Sequence, residues 1–241
     1  MNIFLVSPLF AILSVASASA ATSSISFWAF DQYPGSSPYY SHYRVTDSDP
    51  NYVITDISNY DRGWGFATTG ASAYHIMTSI ENNTNNSGVL RSTGWHLYEM
   101  NFNNLAMTTS ILVDGNTIRS GSYSSNPTNF RFGFHDYFGG IQETVIDDFQ
   151  YRINGGLVYS QGFDSGVLDS GWSVTRLDGG TYVTSGDTTT PHTGNGSLAL
   201  GATTGGNLFS LMTFDLTSVP EPTSGLLVVL TSSLLIGRRK R

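Results

Sequence analysis

The chain has no cysteine. That absence excludes disulfide staples, cysteine-ligated zinc and a thiol nucleophile. Lysine is nearly absent as well: the only one is Lys240, which stands with Arg238, Arg239 and Arg241 at the C-terminus. Over residues 21–218, seven arginines face 17 acidic residues, a balance of −10. No basic stripe is available to neutralise phosphates, so nucleic acid is excluded as a partner class. The sequence contains no His-Glu-x-x-His zinc pattern, no Gly-x-Ser-x-Gly elbow and no glycine loop of the phosphate-cradling kind. The five histidines, His42, His75, His96, His135 and His192, include no three at ligand spacing. Runs with helical periodicity are missing outside the two terminal apolar segments.

What remains is a β composition: 13 Tyr, 14 Phe, 4 Trp and 26 Gly, with abundant Ser, Thr and Asn. Short alternating runs recur between turn residues. Residues 95–102 put His96, Tyr98, Met100 and Phe102 on one face. Residues 107–113 do the same for Met107, Thr109, Ile111 and Val113 and end at Asp114-Gly115, a hairpin turn signal. Phe130, Phe132 and Phe134 share a face, and so do Val145, Asp147, Phe149, Tyr151 and Ile153. Residues 208–216 place Leu208, Met212, Phe214 and Leu216 together, interrupted by Ser210. Such spacing predicts an all-β fold, an antiparallel β-sandwich or jelly roll, over about residues 22–217. Loops are expected at 82–88, 120–128, 185–196 and 201–207. Residues 156–218 either complete a sandwich built on 21–155 or form a truncated second jelly roll.

The termini read as addresses. Phe4 to Val15 is an apolar core ending at Ala18-Ser19-Ala20, which predicts a helical signal peptide over residues 1–20. Signal peptidase would cut between Ala20 and Ala21 after delivery to the export machinery. At the other end, Val219-Pro220-Glu221-Pro222 precedes an apolar run from Gly225 to Ile236 and the basic cluster Arg238, Arg239, Lys240 and Arg241. The run is shorter than the roughly 18–20 residues that cross a bilayer comfortably, and Thr223 and Ser224 extend it. A C-terminal membrane helix with the cations as its cytoplasmic stop is expected. This order of three parts over residues 219–241 resembles the PEP-CTERM sorting signal. The resemblance implies an exosortase that recognises the Pro-Glu-Pro motif. It also implies transient anchoring in the inner membrane, then release to the cell surface or the extracellular space.

A second resemblance rests on four motifs in order. Gly94-Trp95-His96 opens an aromatic strand, Ile111 to Gly115 carries Val-Asp-Gly, Phe130 to Gly133 follows, and Ile146-Asp147-Asp148-Phe149 closes the series. The series is similar to concanavalin A-like and laminin-G-like domains, which implies their β-sandwich.

Candidate chemistry is sparse. Glu143, Asp147 and Asp148 lie near each other in sequence. In some glycoside hydrolases of the concanavalin A-like fold, acids stand at i, i+2 and i+4 of one strand; here Val145 breaks that series, so no catalytic residue is assigned. Asp114, Asp136, Asp147 and Asp148 are hard oxygen donors suited to Ca²⁺. Tyr33, Tyr39, Tyr40 and Tyr43, near Pro34 and Pro38, and Tyr137 in a glycine-rich stretch are candidates for stacking on sugar rings. Two function classes follow: a non-catalytic surface or matrix protein that binds exopolysaccharide or another glycan, and an exported glycan-active hydrolase.

Overall fold

The computed structural model describes residues 21–31, 40–46, 64–68, 73–78, 81–123, 126–136, 142–177, 180–183, 191–202 and 208–219. Within them the chain is nearly all β, in two antiparallel sheets. The larger sheet places β13 (Gly180–Val183), β14 (Leu198–Ala202), β10 (Gln142–Ile153), β1 (Thr22–Asp31), β6 (Gly94–Asn103), β7 (Thr108–Val113) and β8 (Asn116–Ser122) side by side in that order. β11 (Gly156–Gln161) pairs with the second half of β10. The smaller sheet runs β12 (Trp172–Leu177), β15 (Leu208–Asp215), β9 (Asn129–Asp136), β2 (Tyr40–Thr46), β3 (Trp64–Thr68), β4 (Ala73–Thr78) and β5 (Glu81–Leu90). Residues 156–218 thus contribute strands to both sheets, beside β10 in one and β9 in the other.

The sheets face each other across one aromatic core, a sandwich arrangement. Strand β1 shows why: its residues alternate, with Ile25, Phe27 and Ala29 fully buried and Ser24, Ser26 and Trp28 part-exposed. Phe27 meets Phe130 of the opposite sheet at 5.0 Å and Tyr43 at 5.3 Å. Phe149 of β10 meets Phe214 and Trp172 across the core, each at 5.1 Å. Tyr43 is therefore a core side chain and not an exposed sugar platform. On its strand it shares the inward face with Val45.

Two sequence-based expectations fail for physical reasons. The single alternating face expected over 145–153 is broken by a bulge at Asp148, which has φ 50°, and the register against β1 slips between Ser26 and Trp28. An extra residue reverses the alternation. Ile146 joins Phe149, Tyr151 and Ile153 in the core, while Val145 and Asp147 turn to the other face of the sheet, the face of Trp28, and are buried there. The loop expected at 82–88 is part of β5. That strand lies at the sheet edge and, among the described strands, pairs with β4 alone, through backbone groups that do not depend on apolar side chains.

One end of the sandwich gathers the chain's exits. Asn104 N–H donates to Ala21 C=O at 3.0 Å, and Asn154 N–H to Thr22 C=O at 2.9 Å. Tyr123 N–H donates to Met107 C=O, Thr128 N–H to Thr46 C=O and Leu216 N–H to Thr128 C=O, each at 2.9 Å. After β15 a single 3₁₀ turn, Leu216–Ser218, is capped by the Asp215 carboxylate, which accepts from Thr217 N–H at 2.8 Å. Leu216 and Val219 are buried in the core. The expected terminal helices lie outside the described residues, and among those described no helix is long and apolar enough to cross a membrane.

Candidate functional site

The outward face of the larger sheet carries the candidate site. Register alone assembles its floor: Ser24, Asn101, Ser110 and Ser120 stand in one row across β1, β6, β7 and β8. Thr22, Asn103 and Thr108 form the next row toward the chain-exit end. A cleft of about 690 Å³ lies over these rows, and none of the residues lining it is charged. Small hydroxyl and amide side chains leave the floor open. They present donors and acceptors at the spacing of adjacent strands, about 4.8 Å.

Farther along β1 the same face turns aromatic. Trp28 lies four residues from Ser24, about 14 Å at strand rise. The His192 ring stacks on Trp28 at 3.7 Å and 15°. Trp95 meets His192 edge-on at 5.8 Å and Phe30 at 5.5 Å.

His192 reaches Trp28 because the segment 191–197 is clasped to the bulge. Asp147 is fully buried. One of its oxygens accepts from Asp148 N–H at 2.7 Å; the other accepts from His192 N–H at 3.0 Å and Thr193 N–H at 3.2 Å. Burial outweighs these three donors and pushes the Asp147 carboxyl up to about 6. Asp148 bonds His192 Nδ1 and Thr193 Oγ1, both at 2.9 Å. From the other side Asp164 accepts from Gly196 N–H at 3.0 Å. The contact requires glycine: at Gly194, φ +64°, a Cβ would stand 2.1 Å from Asp164 Oδ1.

Asp114 serves the fold at the far end. Its carboxylate accepts from Leu97 N–H at 2.9 Å and bonds His96 Nδ1 at 2.7 Å. This contact joins the Trp-His strand to the Val-Asp-Gly hairpin. Ser92 Oγ lies 3.2 Å from His96 Nε2, an order of groups seen in nucleophilic triads. The Ser92 carbonyl is the closer partner, at 2.9 Å, so the ring is tied to backbone. Asp114 has φ 50°, which Asp and Asn tolerate better than other side chains. Asp114→Ala is expected to lower stability by about 1–2 kcal/mol in urea unfolding, and Asp114→Asn by less.

The four aspartates proposed for calcium are not brought together. Asp147, Trp28, Leu97 and Asp114 follow one another across the sheet, so three strand spacings of about 4.8 Å separate the two acids. One ion binds its oxygens at about 2.3–2.6 Å and cannot use both. Asp136 closes β9 and Glu143 lies in β10; their side chains are outside the described residues. Among the described residues no group of three or more His, Asp or Glu could hold a metal ion. Tyr33, Tyr39 and Tyr137 are outside the described residues, as are Ala18, Ala20, Pro220, Glu221, Pro222 and the cluster Arg238, Arg239, Lys240 and Arg241. Tyr40 opens β2, with its side chain outside the description, and Ala21 immediately precedes β1. Sequence reasoning missed the groove residues and the stacking of His192 on Trp28. The signal available was the polar half of each alternation, Ser24 and Ser26 in β1 and Asn101 in β6.

No protein-family model matches the chain, and no curated protein does either.

Proposed function

We propose that this chain is an exported surface protein, processed by an exosortase, whose sandwich binds a neutral glycan in the groove on the larger sheet. The observation that carries the binding reading is the groove's lining of hydroxyl and amide groups without a charged side chain. Polyhydroxylated chains are recognised by such groups, with an aromatic face for the apolar side of a ring. Trp28, Phe30 and Trp95 stand on the same sheet face to supply it. The export reading is supported by the signal-peptide pattern and the Pro-Glu-Pro tail. A concanavalin A-like or laminin-G-like fold is supported by the His96–Asp114 contact between its two motifs. The hydrolase reading has less behind it, because Asp147 and Asp148 are engaged in holding segment 191–197.

Ser110→Arg tests the groove. A long cation on its floor is expected to abolish binding to neutral glycans on an array while leaving the melting temperature within about 2 °C, as surface changes do. Wild-type binding by Ser110→Arg would remove the groove from consideration. Binding confined to anionic glycans would refute the neutral class.

A further inference from the structure

Val219 is buried in the core, and the apolar run begins at Gly225. Only residues 220–224 lie between them, a reach of at most about 20 Å when fully extended. Whatever surface of the sandwich surrounds Val219 is therefore held close to whatever holds the tail. Three described connections of that surface, 103–107, 154–155 and 216–219, contain no charged residue, and acids stand beside them at Asp169, shortly before Gly171, and at Asp215. Two of the hairpins at this end also present leucine to solvent: Leu105 is 74% exposed and Leu157 is 50% exposed. The tip around Leu105 is a built turn, since the Asn103 side chain accepts from Leu105 N–H at 3.2 Å and Ala106 N–H at 2.9 Å. A single exposed leucine means little. Two on hairpins at the end where the chain leaves the sandwich suit the headgroup layer of a bilayer.

We infer that the end of the sandwich bearing Ala21, Leu105, Leu157 and Val219 is a lipid-facing surface, with the two leucines seated in the bilayer interface. The inference rests on the reading that residues 225–236 enter the membrane. It sets the molecule upright, with the groove rows that begin at Thr22 opening sideways just above the lipid and Trp95 and His192 farther away.

The absence of cysteine makes the test direct, because each single-cysteine variant of the full chain carries one label. Leu105→Cys, Leu157→Cys and Leu90→Cys would each be labelled with a fluorophore and the chain reconstituted in phosphatidylcholine vesicles containing a headgroup-level nitroxide quencher. Leu90 closes β5 at the opposite end and is 73% exposed, so it matches Leu105 in accessibility. Neutral lipid is chosen because Asp169, Asp215 and Glu81 stand at this same end. A fourth label, at Ser233, reports on the tail. Labels at 105 and 157 are expected to be quenched at least threefold more than the label at 90, with the tail label quenched too. Equal quenching at 105, 157 and 90, with a quenched tail, would overturn the lipid-facing surface alone. An unquenched tail label would overturn the membrane reading and this inference together.

Discussion

Replacing Phe214 by alanine is expected to destabilise the protein by about 3–5 kcal/mol, lowering the melting temperature by on the order of 10 °C. Phe214 is fully buried. Its ring lies 4.5 Å from Tyr159, 5.1 Å from Phe149 and 5.1 Å from Trp172. These partners come from β10, β11 and β12, so the ring fixes the larger sheet against the smaller one. The cavity cannot refill easily. Gly171 is already so close that a Cβ there would sit 2.5 Å from the Phe214 ring, and Trp172 is held by its Nε1–H donating to Tyr159 Oη at 3.2 Å. Val174, 41% exposed on the neighbouring edge strand, provides the control: its alanine variant is expected to stay within about 0.5 kcal/mol of the parent. Equal losses for the two variants in thermal unfolding would mean that β15 is not part of the core.

Phe214 also shows what the sequence made legible. Strict alternation marks which residues of a strand share a face, because side chains repeat every second position. On that basis Tyr98, Met100 and Phe102 are identified as one face, and Thr109, Ile111 and Val113 as another; all six are buried. Asp114-Gly115 likewise marks the β7–β8 turn. Alternation does not identify partners. Nothing local to β1 says that it lies between β6 and β10, and without that pairing the row Ser24, Asn101, Ser110 and Ser120 is four ordinary polar residues on four strands. His192 lies far from Trp28 in sequence, and only the clasp of segment 191–197 onto Asp147 and Asp148 brings the rings to 3.7 Å. The bulge at Asp148 is not legible in the sequence, because it depends on one residue taking φ 50°, which its neighbours Ile146-Asp147 do not announce. Sequence alone groups Tyr43 with the nearby tyrosines as a surface cluster, but its place opposite Phe132 in the β2–β9 register decides its direction.

Asp147 is expected to give this protein a pH dependence opposite in sign to that of a salt-bridged carboxylate. Its carboxyl is raised from 3.8 to about 6 by burial. The folded state therefore holds this proton more tightly than the unfolded chain does. Between about pH 4 and about pH 6 the folded state binds the extra proton, and stability contributed by this group rises as pH falls through that window. A shift of roughly 2 pH units corresponds to about 3 kcal/mol. Asp147→Ala removes that gain and also leaves the buried N–H groups of Asp148, His192 and Thr193 without their acceptor. At pH 7 the loss of acceptors is partly offset by the removal of a buried charge, so a cost on the order of 2 kcal/mol is expected. At pH 4 the wild type has gained its proton and the difference should widen to about 5 kcal/mol. Urea unfolding of both proteins from pH 4 to pH 7 measures the difference curve directly. A gap that is constant across that range would show that Asp147 titrates alike in the folded and unfolded chains. A gap that narrows toward pH 4 would show that the three backbone donors outweigh burial and hold the carboxylate ionised.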